Sequence, residues 1–377
     1  MHNTNRRTNF SPDGKTLATS SADKTVKLHK IENDFLKSIE LQNNSSQYGI
    51  AFSPKGEIFA SSSWNPSIRE WEVRLWTKDG KLLKTFPDKS DQDRSHHYGD
   101  IIKNIRFSPD GKLIGTASWD GTVKIWTVDG KLLRNFTEHK RPVNGLAFSP
   151  DSKAIALGGY GDENGNNLWM LWDINGKART ILGHSDQIYR LAFSPNGKIV
   201  ATASWDRSIK LWNAVDGKLI RTLDGKHNSW ILGLNFSPDG KMLVSSSQDK
   251  TAKIWSVEGN LLYTLIDHKG DVNDVVFSPN GKIIASASSD QTIKLWNTDG
   301  MLLRTLRGHN GAVYGVSFSP DGKRLVSASW DGSIKIWNPE ILDFNGLLKR
   351  GCSWLPDNLK TTLNKQNPTQ QICSQEP

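Results

Sequence analysis

One stretch of the chain decides the fold. Residues 184–223 read HSDQIYRLAFSPNGKIVATASWDRSIKLWNAVDGKLIRTL. Four short segments within it are rich in β-branched and aromatic residues and are separated by Asn-Gly, Asp and Asp-Gly turn signals, a pattern typical of strands. The four predicted strands are Ile188–Phe193, Ile199–Ser204, Ser208–Trp212 and Lys218–Leu223. The stretch therefore predicts a four-stranded antiparallel meander.

The same unit recurs along the chain. Its tripeptide Phe-Ser-Pro begins at Phe10, Phe52, Phe107, Phe148, Phe193, Phe236, Phe277 and Phe318. The intervals are 42, 55, 41, 45, 43, 41 and 41 residues, and the longer ones reflect insertions in the second unit and an expanded loop at residues 158–167. A period of this length indicates a repeat architecture. Eight copies then fill residues 5 to about 339, in place of two or three ordinary domains.

A single unit of this size cannot cover both faces of its own sheet. Radial stacking of such sheets covers both faces and leaves only short edges, which defines a β-propeller. The sequence thus predicts an all-β protein with a closed propeller of eight four-stranded blades over residues 1–340 and a tail over residues 341–377. Seven blades with a loosely attached first unit are the alternative, as is an eighth blade without a regular fourth strand.

Four features of the unit carry a family resemblance. They are a His nine residues before the Phe, the Phe-Ser-Pro-Asp-Gly-Lys turn, a Ser or Thr four residues before an Asp, and a Trp six residues after that Asp. Together they resemble the WD-repeat family over most of the chain. In that family the His, Ser/Thr, Asp and Trp form a buried hydrogen-bonded tetrad, which satisfies the buried indole and imidazole. The tetrads that the resemblance implies are His184, Thr202, Asp206 and Trp212; His227, Ser245, Asp249 and Trp255; His268, Ser286, Asp290 and Trp296; and His309, Ser327, Asp331 and Trp337.

The first four units depart from this pattern. The first has His29 at the Trp position, the second has Asn43 and Asn65 in place of His and Asp, and the third has His97 one residue out of register. The fourth has no clear Asp at its expanded turn. We therefore expect the N-terminal half to be less regular. A chain that opens in mid-repeat also looks like a piece of a longer protein.

The segment after Asn338 does not continue the repeat. Leu342 to Leu363 predicts a short helix, interrupted at Pro356, that would cap the open edge of the last blade. This run and the residues up to Cys373 resemble the ending of many bacterial WD-repeat proteins, cyanobacterial ones especially. The tail is therefore expected to have a capping role.

The net charge of +9, with 48 Lys and Arg against 39 Asp and Glu, suggests nucleic-acid binding as one interpretation. Thirteen lysines, however, hold two template positions and would form rings around the disc. They are Lys15, Lys112, Lys153, Lys198, Lys241, Lys282 and Lys323 in the turns, and Lys27, Lys124, Lys210, Lys253, Lys294 and Lys335 on the third strands. A DNA-binding surface needs them on one face. Nucleic-acid association is therefore the alternative function.

No pattern in the chain predicts catalysis, a metal site or a cofactor. No His-x-x-His, Cys-x-x-Cys, Glu-x-x-His or Gly-x-Ser-x-Gly occurs, and both cysteines, Cys352 and Cys373, lie in the tail. The Gly-rich residues 158–165 follow a strand and open no helix, so they predict a loop, where calcium binding is a minor alternative. With no apolar signal region and no run of 18 apolar residues, we expect a soluble, cytoplasmic, non-enzymatic protein.

The 15 tryptophans divide into two classes. The predicted core residues of the third strands are Trp71 or Trp76, Trp126, Trp172, Trp212, Trp255, Trp296 and Trp337. A second class precedes the turn Asp, or Asn65, at a slot that opens on the top face around the central channel in the WD-repeat family. Its members are Trp64, Trp119, Trp205 and Trp330. Two first-strand slots on the same face hold Trp230, Tyr48, Tyr189 and Tyr314.

Eight large aromatic residues on one face predict a protein-binding surface, because such side chains bury a large area at a low entropy cost. The alternative is that the Trp slot reflects drift among duplicated repeats, with the rings lying flat on their neighbours. We therefore predict an interaction scaffold or sensor module that binds a protein or peptide partner. It would act as a monomeric propeller or as part of a larger complex.

Overall fold

The computed structural model describes most of the repeat region. The described residues are 5–21, 25–32, 35–42, 47–65, 70–88, 101–137, 141–160, 167–174, 178–223, 227–331 and 333–337. These residues form 31 strands and contain no helix. The helix predicted at Leu342 to Leu363, and the whole tail 341–377, lie outside the described residues.

The strands form eight antiparallel sheets, each joining its strands in chain order. The first four sheets contain β1 (Asn5–Phe10), β2 (Thr16–Ser21), β3 (Thr25–Glu32), β4 (Phe35–Gln42); β5 (Gln47–Phe52), β6 (Ile58–Asn65), β7 (Glu70–Thr77), β8 (Leu82–Asp88); β9 (Ile102–Phe107), β10 (Leu113–Ser118), β11 (Val123–Thr127), β12 (Leu132–Phe136); β13 (Val143–Phe148), β14 (Ala154–Gly159), β15 (Asn167–Asp173) and β16 (Ala178–His184). The other four contain β17 (Ile188–Phe193), β18 (Ile199–Ser204), β19 (Ile209–Asn213), β20 (Leu219–Thr222); β21 (Ile231–Phe236), β22 (Met242–Ser247), β23 (Thr251–Ser256), β24 (Leu261–Ile266); β25 (Val272–Phe277), β26 (Ile283–Ser288), β27 (Ile293–Asn297), β28 (Leu302–Leu306); β29 (Val313–Phe318), β30 (Leu325–Ser329) and β31 (Ile334–Trp337).

The prediction of an all-β propeller built from four-stranded antiparallel blades is confirmed. Seven sheets are complete blades of four strands. The last sheet has three strands among the described residues, which end at Trp337. The structure therefore shows seven complete blades, not the predicted eight. The described residues of the last repeat end before a fourth strand.

The first strands of successive sheets lie side by side in a ring. β1 contacts β5, β5 contacts β9, and the series continues through β25 to β29. Strands β29 and β30 in turn contact β1, and the Arg324 guanidinium donates to the carbonyl of Gly14 at 3.5 Å. The sheets therefore close around a central axis that the first strands surround.

The turn after each first strand fastens neighbouring sheets together. The Ser194 hydroxyl accepts a backbone N–H from the second strand at 3.0 Å, and Gly197 has a φ of 71°, in the left-handed region that favours glycine. A Cβ on Gly197 would lie 3.4 Å from Cδ of Pro150 in the preceding sheet. Across the closure, a Cβ on Gly14 would likewise lie 3.6 Å from Cδ of Pro320. The residues of this turn therefore determine both the turn conformation and the packing between neighbouring blades.

The third-strand tryptophans fill the space between sheets. Trp255 is buried among residues of its own sheet and of the preceding one. Burying an indole removes about 200 Å² from water, worth about 5 kcal/mol before the entropy cost. In the second sheet Trp76 pairs with Phe59, as Trp212 pairs with Val200 in the fifth. The template residue there is therefore Trp76, while the inserted Trp71, earlier on the same strand, is buried in a separate cluster with residues of the third sheet.

Candidate functional site

The four predicted tetrads are joined by hydrogen bonds. In the sixth sheet the Nδ1–H of His227 donates to Asp249 at 2.8 Å, and the hydroxyl of Ser245 donates to Nε2 of His227 at 2.8 Å. The indole N–H of Trp255 donates to the same hydroxyl at 2.8 Å. The corresponding distances in the fifth, seventh and eighth sheets lie between 2.7 and 3.0 Å. This order of donors and acceptors fixes the imidazole tautomer.

Burial lowers the pKa of His184, His227 and His309, and the hydrogen bond and charge of the partner Asp offset this only in part. Burial by itself would raise the pKa of Asp206 and Asp249. Hydrogen bonds from the histidine and from the following Ser or Thr outweigh that effect and hold the pKa of each carboxyl well below its ordinary value. Each pair is therefore a neutral imidazole with a carboxylate at neutral pH. The imidazoles are buried within the blade, so the tetrads have a structural role.

The tetrad Asp also positions the slots that hold the candidate aromatic residues. The Asp206 carboxylate accepts the N–H of Ser185 at 3.0 Å, which ties the segment before the first strand to the turn after the second. Beside it the N–H of Trp205 donates to the carbonyl of Gln187 at 3.0 Å. The equivalent backbone bond recurs in the third, fourth, sixth, seventh and eighth sheets. The residue before the turn Asp and the residue six before the Phe are therefore neighbours within each of these blades.

Tyr189, Trp205 and Trp230 form one aromatic group across the fifth and sixth sheets. The rings of Trp205 and Trp230 stack with centroids 3.8 Å apart and planes 2° apart, and the Tyr189 ring lies 6.1 Å from that of Trp205. Trp230 is 38% exposed. Trp205 is half-buried, and its indole N–H has no acceptor among the described residues. The group therefore presents a flat aromatic surface to solvent with an indole donor beneath it.

Two smaller groups lie elsewhere on the ring. Tyr314 and Trp330 of the last sheet have centroids 6.0 Å apart and are 42% and 48% exposed. Trp119 of the third sheet is half-buried, donates its indole N–H to Asn144 at 3.2 Å, and lies under the ammonium of Lys103, 4.8 Å from the ring centroid. The structure thus divides the described aromatic candidates into three groups.

Exposure separates the candidate residues further. The solvent-exposed ones are Trp230, Tyr314 and Trp330. The half-buried rings of Trp119 and Trp205 lie against their neighbours, which is the arrangement that the alternative prediction describes. The side chains of Tyr48 and Trp64 lie outside those that the structure describes. Of the six candidates whose side chains the structure describes, three are therefore exposed enough to contact a partner directly, and Tyr189, Trp119 and Trp205 are half-buried.

Polar side chains that were not predicted from the sequence also lie on this face. Asn144 occupies the same slot as Tyr189, four residues before its Phe, and its amide donates to the side-chain carbonyl of Gln187 at 3.3 Å. The guanidinium of Arg190 lies over the Tyr189 ring, 4.7 Å from its centroid. The repeat register was the signal that could have found them, since each slot lies at a fixed distance from the Phe.

The third-strand lysines do not form a solvent-facing basic surface. Lys124, Lys253 and Lys294 are buried. The ammonium of Lys294 pairs with Asp267 and donates to the Thr305 hydroxyl at 3.0 Å, between neighbouring strands. These lysines therefore contribute little to the concentrated basic face that the nucleic-acid alternative requires.

The described part of the chain contains no group of three or more His, Cys, Asp or Glu side chains arranged to hold a metal ion. Across those same ranges, no helix is found with the length and apolar character to cross a membrane. The Gly-rich loop considered for calcium falls partly outside the described residues, at 161–166.

Comparisons with known proteins match this geometry. The family described as WD domain, G-beta repeat matches residues 6–30, 36–72, 80–127, 130–173, 176–213, 217–256, 259–297 and 300–338. Periodic tryptophan protein 2 of Arabidopsis thaliana is 31% identical over 58% of this chain and 23% of its own length. The guanine nucleotide-binding protein subunit beta of the same plant is 27% identical over 52% of each chain. Protein transport protein sec13 of Emericella nidulans is 28% identical over 53% of this chain and 73% of its own.

The fold is also similar to a solved structure. The crystal structure of the computationally designed Ika8 protein superposes with a TM-score of 0.73 and 27% identity, over 90% of this chain and 97% of that one. The chain spans about a quarter of the length of the first relative named above and about half of the second. The three relatives are eukaryotic, so the bacterial resemblance stays a prediction. Because the repeat and the family match extend over most of the chain, this chain belongs to the WD-repeat family.

Proposed function

We propose that this chain is a non-enzymatic interaction scaffold or sensor module that binds a protein or peptide through its aromatic face. The name aromatic face denotes Tyr189, Trp205, Trp230, Tyr314 and Trp330. The observation that carries the proposal is the Trp205–Trp230 stack, whose outer ring is exposed to solvent. Exposed aromatic side chains are the residues that most often supply the binding energy of an interface.

The support from the family is of a different kind. One relative is named as a subunit, which describes a polypeptide that works within an assembly. By analogy this chain would work by contact with other polypeptides. The stack adds a specific location to that general expectation, because its two rings come from different blades and are already ordered against each other.

We also propose that the ring has eight blades, of which the three-stranded sheet is the eighth. Its first strand, β29, contacts both β25 and β1, as every other first strand contacts two neighbours. The turn glycine of the first sheet also packs on its proline Pro320. In such a ring of eight, the aromatic face would lie on the fifth, sixth and last sheets.

The test is a comparison of bound partners between wild type and variants. Trp230→Ala combined with Trp330→Ala removes the most exposed rings of both groups on the aromatic face. Each central aromatic residue of an interface contributes about 2 kcal/mol or more, or about 30-fold in affinity, so the double variant should bind its partners about 30-fold less well if one ring is central and about 1,000-fold less well if both are. Immobilised full-length chain is exposed to a lysate, and the captured proteins are quantified by mass spectrometry.

The matched control is Tyr263→Ala. Tyr263 is 41% exposed but lies on β24, away from the first strands and their turns, so its variant should capture the same proteins as wild type. Circular dichroism and the thermal midpoint establish that all variants remain folded. Capture that is equal in wild type and in the double variant would contradict the aromatic face as the binding surface.

A further inference from the structure

The register of the first strands alternates between glycine and polar residues. The position three residues before each Phe holds, in chain order, Arg7, Gly49, Asn104, Gly145, Arg190, Gly233, Asp274 and Gly315. Every second sheet thus contributes glycine, and a Cβ on Gly315 would meet no atom within 4 Å. The missing side chain of Gly315 therefore leaves open space near the axis, whereas Gly145 and Gly233 pack closely on Leu191 and Ser246.

A cavity of about 630 Å³ occupies this central channel. Arg106, Arg190 and Asp274 supply the charged side chains of its described lining. The cavity extends from Tyr314, near the beginning of the first strands, to the Phe-Ser-Pro turns at their other ends. It is therefore continuous with the aromatic face and large enough for a small ligand.

The charges in the cavity are two guanidinium groups and one carboxylate. The Asp274 carboxylate accepts the N–H of Val316 in the next sheet at 3.2 Å. The guanidinium of Arg190 lies over the ring of Tyr189. No ion pair joins Arg106 or Arg190 to a carboxylate of the residues that the structure describes. Positive charge is thus in excess among the described lining.

The environment of Arg106 reflects this excess. Burial lowers the pKa of Arg106, and the charge of Arg190 lowers it further, while Asp274 acts in the opposite direction. A guanidinium nevertheless stays protonated in proteins. Arg106 is half-buried, and a partly desolvated cation is stabilised by a counter-charge and hydrogen-bond acceptors. An anion that enters the cavity would supply both.

We propose that the central channel binds an oxyanion, a carboxylate or phosphate group, between Arg106 and Arg190. The planar guanidinium matches the oxygen pairs of carboxylates and phosphates, and such charge-assisted hydrogen bonds are stronger than neutral ones. The group belongs either to a free anion or to a polypeptide whose carboxylate enters from the aromatic face. The cavity opens onto the aromatic face, but the proposed anion site is formed by the two guanidinium groups and does not rest on the proposed protein-binding function.

Calorimetric titration of the full-length protein tests this site with two probes. The first is inorganic phosphate at constant ionic strength. The second is a short peptide with a free C-terminal carboxylate, compared with the same peptide as its C-terminal amide. Arg106→Gln and Arg190→Gln should each weaken binding about tenfold or more, since each removes hydrogen bonds to a charged group. Asp274→Asn should strengthen it several-fold by removing the opposing charge while keeping an acceptor for Val316.

Arg304→Gln is the control, because it makes the same change of charge at an exposed position on β28. The site, with a free anion as its ligand, is supported if phosphate binds and if Arg106→Gln and Arg190→Gln weaken that binding while Asp274→Asn strengthens it. Binding of the carboxylate peptide but not of its amide supports it with a polypeptide as the source. Absence of binding by both probes, or affinity unchanged by Arg106→Gln and Arg190→Gln, overturns the proposal. Because Asp274→Asn acts in the opposite direction, damage to the fold cannot imitate the full pattern.

Discussion

The last four sheets and the first four differ in how they satisfy their buried polar groups. In sheets five to eight every third-strand Trp donates, at 2.8 to 2.9 Å, to a hydroxyl that is itself bonded to a His. In the second and third sheets Trp76 and Trp126 still reach a hydroxyl, at 2.9 and 3.4 Å. In the fourth sheet the indole N–H of Trp172 has no acceptor among the described residues, and in the first His29 stands in place of Trp.

This difference teaches that a blade forms by aromatic packing, with or without the tetrad. Trp172 pairs with Ile155 in the register that joins Trp212 to Val200, and its ring centroid lies 4.0 Å from that of Phe136. Burial of an indole is worth about 5 kcal/mol, whereas one hydrogen bond contributes about 1 kcal/mol net. The tetrad therefore adds local stability and fixes the turn after the second strand, but the fold does not depend on it.

The largest expected effect follows from removing a tetrad carboxylate. Asp249→Ala removes the acceptor for His227 at 2.8 Å, for the N–H of Asn228 at 2.9 Å and for the hydroxyl of Thr251 at 2.6 Å. Because buried donors lose a charged partner, we expect the free energy of unfolding to fall by about 3 kcal/mol. Urea denaturation followed by fluorescence measures it.

Asp239→Ala is the control for this change. Asp239 belongs to the same sheet, carries the same charge and caps an exposed Phe-Ser-Pro turn. Its loss should cost less than about 1 kcal/mol. Equal losses for the two variants would show that the tetrad has no special role in stability.

A second, smaller effect compares the two halves directly. Trp255→Phe removes a donor that is bonded to Ser245, while Trp172→Phe removes a donor without an acceptor among the described residues. Both leave a similar gap where the larger ring was. We therefore expect Trp255→Phe to lower the free energy of unfolding by about 1 to 2 kcal/mol more than Trp172→Phe. The comparison between halves fails if urea denaturation gives the same value for both.

The repeat allowed the strands to be predicted almost to the residue. The predicted segments 199–204 and 208–212 are observed as β18 (Ile199–Ser204) and β19 (Ile209–Asn213). Strand alternation and turn residues are local signals that eight copies reinforce. The tetrad residues could be placed for the same reason, since their spacing is constant in the last four units.

Exposure within the candidate site could not be predicted in this way. Trp205 and Trp330 occupy the same slot of the unit. The ring of Trp205 is covered by that of Trp230, whereas Trp330 is 48% exposed. The side chain that covers a slot comes from the next blade, so the sequence of one unit does not determine the exposure of its own residues. The orphan indole of Trp205 and the charges of the channel are likewise products of assembly between blades.

The third effect is the smallest and concerns the first sheet, where His29 takes the Trp position. Its Nε2 lies 3.3 Å from the hydroxyl oxygen of Thr19, and burial together with the charge of Lys27 lowers the pKa of His29 to about 4. An unfolded histidine has a pKa of about 6.5, so between about pH 6.5 and 4 the unfolded chain binds more protons. The contribution of His29 to stability is therefore lost as the pH falls through that range.

His29→Trp removes the titrating group and restores an indole that can donate to Thr19, as Trp212 donates to Thr202 at 2.8 Å. Between about pH 7 and 5.5 the variant should lose about 1 kcal/mol less of its free energy of unfolding than wild type. The other buried histidines are present in both proteins, so the difference isolates His29. Parallel stability curves for the two proteins would show that His29 titrates normally.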